Sequence, residues 1–327
     1  MKKIIKIAIV SIMSLTVSLG VAHGQGAPNS WPNKPIHLLV GFAPGGPTDN
    51  VARIIAKGLG QELGQPVIVE NKAGAGGNIA ANLLKQAAPD GYTFLYNTSS
   101  IVIAPWVYQS VGFDPLRDFT PIGLAAAVPL VLVVNNKVPA RSPKELIDLI
   151  RANPNKLNYA SSGTGAIEHL TAAHLLSLTA TQATHVPYKG TAPAQVDLIA
   201  GATQFTTTTL NTALSPVKNG ELRALAITSK TRSPLMPEVP TVDEILIPGF
   251  ESLAWQGMVG PGDTPDAIVE KMNLALNKVL RSDAVKESLK QQGTFVLGGS
   301  PQEYSKYIRE ESARWKGVVA QAGVTAQ

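Results

Sequence analysis

Four times along this chain a strand-like apolar run ends in a glycine-rich loop that leads at once into a helix-like run. "IHLLVGF" (Ile36 to Phe42) meets "APGGPTD", after which Val51, Ile54, Ile55, Leu59 and Leu63 fall on one helical face. "PVIVEN" (Pro66 to Asn71) meets "KAGAGGN", followed by an amphipathic stretch carrying Ile79, Leu83 and Leu84. "LNYASSGTG" (Leu157 to Gly165) runs into "AIEHLTAAHLLSL", and "THVPYKGTAPAQVDLIAG" (Thr184 to Gly201) closes the series. Thr48 or Asp49 is placed to cap the first helix, and Thr191 to cap the fourth, which ends near Gly201. Such alternation builds α/β layers with mostly parallel sheets, whose ligands sit beyond the carboxyl ends of the strands. Helix N-termini there offer unpaired N–H groups and the positive end of the dipole, and glycine lets an anion come close. One Gly-Gly loop is an ordinary tight connection. Four of one design point to a shared carboxylate cradle, although periodicity does not make them converge.

A chain of 327 residues is long for one core, so two domains are expected. "FTPIGLAAAVPLVLVVNN" (Phe119 to Asn136), with Pro129 inside it, is too extended for one strand and too interrupted for one helix. It reads as a strand crossing between domains, and "SLAWQGMVGPGDTP" (Ser252 to Pro265) as the return. From Pro265 onward the chain reads mainly helical, with Ile268, Met272, Leu276, Val279 and Leu280 on a stripe. The expected division is residues 25–127 plus 252–327 in the first lobe and 128–251 in the second.

The first 24 residues carry Lys2, Lys3 and Lys6, an apolar stretch, and small residues near Ala22 and Gly24. That is the pattern of a cleaved secretory signal; a permanent N-terminal anchor is the alternative. Without those lysines the formal charge falls from +5 to +2, and no basic stripe remains, so nucleic acid is not expected as a partner. The chain has no cysteine, which rules out a lipid anchor on a processed cysteine and also disulfides. No later run reaches the ~18 apolar residues of a membrane span. A soluble, periplasmic, monomeric protein is expected.

Motifs for catalysis are weak. "GAGG" (Gly74 to Gly77) half-matches a dinucleotide fingerprint, but Ile79 stands where the third glycine belongs. No P-loop, no G-x-S-x-G and no H-E-x-x-H string is present, and "SPVK" (Ser215 to Lys218) has no K-T-G partner. His37, His169, His174 and His185 form no tight ligand cluster and read as packed or capped residues, and His23 falls at the signal junction. No enzyme, metal or cofactor is expected. The loop hydroxyls are more suggestive: Thr48, Thr98, Ser99, Ser161, Ser162, Thr164 and Thr191 lie in or near strand ends, although Ser and Thr are also ordinary loop residues.

Eight strings carry a resemblance in serial order: "FAPGGPTD", "VENKAGAGGNIAA", "PDGYTFL", "YASSGTGAIEHL", "VPYKGTAPAQVDLIAG", "GELRALAIT", "PEVPTVDE" and "PGFESLAWQGMVGPGDTP". From about Trp31 to its end the chain resembles the Bug family, the periplasmic substrate-binding proteins of tripartite tricarboxylate transporters. The resemblance implies an α/β fold of the two-lobed type II periplasmic-binding-protein kind, two Rossmann-like domains joined by crossing strands and closing on a small organic acid. It implies a membrane permease as partner. It also implies that the loop holding Phe42, Ala43, Gly45, Gly46, Thr48 and Asp49 grips one carboxylate, partly through backbone groups and waters, supported by the loop of Gly76 and Asn78. From the second lobe it adds Ser161, Ser162, Gly163, Thr164, Tyr188 and Lys189, with Asp197 structural.

One segment departs. Where the family often has a Phe-Asp-Asn-like run, this chain has "QFTTTTLNT" (Gln204 to Thr212), which puts Thr207 and Thr208 near the usual aromatic and acid. A distal half lined by Thr208 and its neighbours is hydroxyl-rich and less negative, which favours a plain or aromatic acid over an amino acid. A sensor feeding a signalling receptor remains the alternative function, with a periplasmic enzyme behind it.

Overall fold

A computed structural model describes residues 31–324. The expected signal segment, residues 1–24, lies outside the described residues. The first glycine loop separates β1 (Ile36–Val40) from α1 (Pro47–Leu63). Gly46, not Thr48 or Asp49, occupies the N-cap, because Pro47 has the preset φ and the missing N–H that suit the first helical position. Asp49 lies within the first turn instead. β2 (Val67–Asn71), α2 (Asn78–Lys85), β3 (Thr93–Thr98) and α3 (Ser100–Val107) follow. β1 pairs parallel with both β2 and β3, so the loops after all three strands emerge at one sheet edge. α2 buries Ala80, Ala81 and Leu84 but leaves Ile79 and Leu83 exposed, so its inner face is the small-residue one and not the expected Ile79 and Leu83 stripe.

The long apolar run is one strand after all, β4 (Phe119–Asn135). Register shifts between Pro121 and Gly123 and between Leu124 and Ala126 absorb its irregularity. It continues into α4 (Pro143–Ala152), β5 (Asn158–Ser161), α5 (Ile167–Leu178), β6 (Thr184–Pro187), α6 (Thr191–Ala200), β7 (Phe205–Thr209), α7 (Leu210–Lys218), β8 (Leu222–Ile227) and α8 (Val242–Ile245). Gly190 caps α6, and Thr191 is its first helical residue rather than its cap. β5 pairs parallel with β6 and β7, which repeats the design of the first half. β9 (Leu253–Pro261) then returns, and α9 (Asp266–Arg281), α10 (Asp283–Lys290), β10 (Phe295–Val296) and α11 (Pro301–Ala322) complete the described chain.

β4 is the shared element. Its residues Phe119–Pro129 pair with β9, and Leu130–Asn135 pair with β7 and β8. The molecule is therefore two α/β halves joined by two antiparallel crossing strands. Apolar residues of β4 enter the cores of both halves: Ala127 in the first, Leu132 and Val134 in the second. α11 adds a further tie, since Trp315 and Val318 share a core with Leu170 and Ala173 of α5. Glu311 holds that helix in place by accepting from the indole nitrogens of Trp255, at 2.9 Å, and Trp315, at 3.1 Å.

Candidate functional site

In the first half, the two glycine loops touch backbone to backbone. A Cβ on Gly41 would lie 2.6 Å from the Gly77 Cα, so no larger residue fits at position 41 without moving the second loop. The Phe42 ring packs near Gly77, and the Asn71 amide donates to the Phe42 carbonyl at 3.0 Å. The cavity between the loops is lined by Phe42, Gly76, Asn78, Thr98, Ser100 and Phe113. Four of these belong to the expected set. Ser100 does not: its hydroxyl bonds that of Thr98, whereas Ser99 turns inward and its amide donates to the Trp255 carbonyl at 3.0 Å. Ala43 and Gly45 are exposed on the loop, while Gly46 and Thr48 are half-buried.

Asp49 is placed differently from a ligand-binding acid. It is 1% exposed, and its two oxygens accept from the Gly45 amide, Arg53 Nε and Asn71 Nδ2, each at 2.8 Å. Burial pushes this carboxyl up, but the bonds from Arg53, Asn71 and Gly45 outweigh it and hold the group below its ordinary value of 3.8. The side chain therefore shapes the loop that presents the backbone and has no oxygen left to face a ligand.

In the second half, the β5–β6 ladder runs on past the strands. The Tyr188 amide donates to the Ser161 carbonyl and the Gly190 amide to that of Ser162, both at 3.0 Å. Ser161–Gly163 and Tyr188–Gly190 are thus brought side by side. Ser161 Oγ donates to the Gly163 carbonyl at 3.0 Å and lies 2.7 Å from His185 Nε2. The His185 ring stacks on His169 with centroids 3.6 Å apart, and His169 Nδ1 accepts from the Gly165 amide at 3.1 Å. Two imidazoles thus support the loop from below. Burial drives His169 down to about 3, helped by His185, and burial drives His185 down to about 4, so both are neutral at ordinary pH. The Tyr188 phenol donates to Asp197 at 2.7 Å, and Lys189 is exposed.

The threonine run divides by strand alternation. Thr207 turns away and donates to the Glu168 carbonyl at 2.6 Å, whereas Thr208 lines a second cavity with Ser161, Ser162, Thr206 and Glu168. Glu168 is the acid that sequence reasoning missed. It sits in the first turn of α5, where an acid is read as dipole compensation, and only the fold turns it toward Thr208. Ser162 Oγ donates to its Oε2 at 2.9 Å. Burial pushes the carboxyl up, against hydrogen bonds from its own amide and from Ser162 that pull it down. The cavity that Thr208 lines thus also holds a carboxyl, which a reading of the threonine run by itself does not include.

Tyr108, also missed, joins the halves. Its hydroxyl donates to the Thr164 carbonyl at 3.1 Å and lies 3.8 Å from where a Gly76 Cβ would be. Nearby, a Cβ on Gly165 would come within 2.8 Å of Val107. The second and third glycine loops thus meet at the end of α3. Among the described residues no group of three or more His, Asp or Glu side chains is arranged to hold a metal ion.

The family model of the tripartite tricarboxylate transporter family receptor matches residues 51–324. A solved structure, R. palustris Rpa4515 with adipate, is 36% identical, has a TM-score of 0.84, and covers 90% of this chain and 100% of that one. The periplasmic binding protein BugD is 35% identical, with a TM-score of 0.81 over 90% of this chain and 100% of its own. MatC (Rpa3494) from Rhodopseudomonas palustris with bound malate is 32% identical, with a TM-score of 0.78 over 88% of this chain and 99% of its own. The halves joined by β4 and β9 are accordingly the two lobes of the periplasmic-binding-protein fold. On this match the chain belongs to the tripartite tricarboxylate transporter family receptors, Bug-type periplasmic binding proteins and not enzymes.

Proposed function

We propose that this protein captures a small organic acid between its two lobes and delivers it to a membrane permease of the tripartite tricarboxylate type. The observation that carries this reading is the junction at Tyr108, where a first-lobe glycine loop and a second-lobe glycine loop come together. Loops of this kind present backbone N–H groups at helix starts, which suits a carboxylate. Adipate and malate in the two solved relatives support the same ligand class. On this reading the first-lobe backbone from Phe42 to Thr48, with Gly76, Asn78 and Thr98, holds one carboxylate. The second-lobe groups from Ser161 to Thr164 with Tyr188 and Thr208 close over the rest.

The lobes would comprise residues 25–127 plus 252–327 and residues 128–251, hinged where β4 and β9 cross. The chain would be exported to the periplasm by removal of residues 1–24 and would work as a monomer. Thermal melting against organic acids, amino acids, sugars and nucleotides tests the reading. A carboxylate at 100 times its Kd adds ~2.7 kcal/mol of stability and raises the Tm. A rise with sugars or nucleotides alone would overturn it.

A further inference from the structure

The second-lobe cavity contains two polar side chains that the protein leaves short of partners. Glu168, 8% exposed, receives hydrogen bonds from Ser162 and from its own amide, and no lysine or arginine lines the cavity beside it. Thr208, 7% exposed, lines the same cavity, and its Oγ1 has no hydrogen-bond partner. The remaining wall is largely apolar, from Ala194, Leu198, Ala213 and Leu222, and the space is about that of one water-sized group. A buried carboxylate without a cation and a buried hydroxyl without a partner are both costly, and a ligand that satisfies both removes both costs.

Resting on the carboxylate reading above, we propose that Glu168 is the specificity group of the site and takes the ammonium group of an amino-acid ligand, with Thr208 Oγ1 accepting a second N–H. Burial by itself raises the Glu168 carboxyl above its ordinary value, and a cationic partner in the cavity would hold it ionised and accepting. Ser162 and its own amide already donate to it, and the positive end of α5 favours the anion. An ammonium group is compact enough for the space, brings the missing positive charge and offers more than one donor. A second carboxylate on the ligand would instead meet a like charge. A site whose buried acceptors are filled only by N–H donors discriminates strongly against the analogue that lacks them.

Calorimetric titration of the full-length protein with matched pairs, aspartate against succinate and glutamate against glutarate, tests this. The unmutated protein is expected to bind the amino member of at least one pair about tenfold tighter or more. Glu168→Gln, nearly isosteric and uncharged, removes that preference by weakening the amino acid about tenfold while leaving the plain acid within about threefold. Thr208→Val weakens the amino acid alone by about fivefold, and decides the matter if Glu168→Gln fails to fold. Equal or tighter binding of the plain acids, or variants that leave the ratio unchanged, overturn the assignment while the carboxylate reading stands. Binding of none of the four acids overturns the assignment, while the carboxylate reading is decided separately by the melting panel.

Discussion

The loops of the first lobe and those of the second are held in shape by different means. Gly41 and Gly77 meet as bare backbone, and Asp49 is spent on tying Gly45, Arg53 and Asn71 together. The second-lobe loop is propped by side chains: Ser161 on His185, His185 on His169, His169 on the Gly165 amide. Backbone donors recognise an anion whatever the rest of the molecule carries, whereas side chains such as Glu168 and Thr208 add contacts that only particular ligands can meet. On the proposed reading, one lobe recognises the carboxylate common to many ligands and the other identifies the particular acid.

The comparison breaks most severely at Asp49. Asp49→Ala leaves Arg53, Asn71 and the Gly45 amide without their acceptor, and is expected to cost ~3 kcal/mol of unfolding free energy in denaturant titration. The corresponding change in the second lobe, Ser161→Ala, removes one hydroxyl and is expected to cost ~1 kcal/mol. Equal costs would show that the two loops are built alike.

Gly41→Ala forces a methyl against the Gly77 backbone, so overpacking of ~2 kcal/mol is expected, read as roughly 30-fold weaker carboxylate binding. Unchanged affinity in calorimetry would mean that the loop contact does not shape the site.

Acid sharpens the comparison. His169 and His185 titrate lower in the folded protein than their ordinary 6.5, so the unfolded chain binds more protons than the folded one. Their stabilising contribution is complete above about pH 6.5 and is lost as the pH falls toward 4 and then 3. Asp49, held below 3.8, contributes fully above that value and is lost only as the pH falls below it. Between about pH 6.5 and 4.5 the second lobe is expected to weaken before the first, by ~1.4 kcal/mol per pH unit for each of these two histidines, and His174, also lowered by burial and by Arg314, adds to the slope. Replacing His169 and His185 by asparagine is expected to make that slope shallower in denaturant melts taken at each pH, and an unchanged slope would assign it elsewhere.

The smallest effect lies where the lobes meet. Tyr108→Phe deletes one hydrogen bond to Thr164 and is expected to weaken ligand binding by ~1 kcal/mol, about fivefold, with little change in Tm. A loss of stability with no loss of affinity would make the phenol a packing group only.

Much of the frame could be read from the chain. The runs before Phe42, Lys72 and Ser162 are strands, the segments after the loops are helices, and the apolar run from Phe119 crosses between lobes. These readings succeed because alternation, helical spacing and glycine loops are local, and each is written within about ten residues. The misses are of another kind. Pro47 took the first helical position and moved the cap to Gly46, two residues before Thr48, a local contest that composition does not decide. Ile79 and Leu83 follow a helical stripe with Leu84, yet of the three only Leu84 packs inward, beside Ala80 and Ala81, because which face of a helix meets the core is set by its neighbours and not by its own spacing.

By itself, then, the sequence determined the α/β class, the two-lobed crossing and the position of the glycine loops at strand ends. Tertiary structure alone decided that Gly41 meets Gly77, that Tyr108 reaches Thr164, that His169 stacks on His185, and that Glu168 shares a cavity with Thr208. Partners separated by 16 to 56 positions are set by how the sheets pair and twist, so no short stretch of sequence specifies them. The same holds for charge: an acid in a helix's first turn is a cap until packing removes its water, and only then does its carboxylate require a partner.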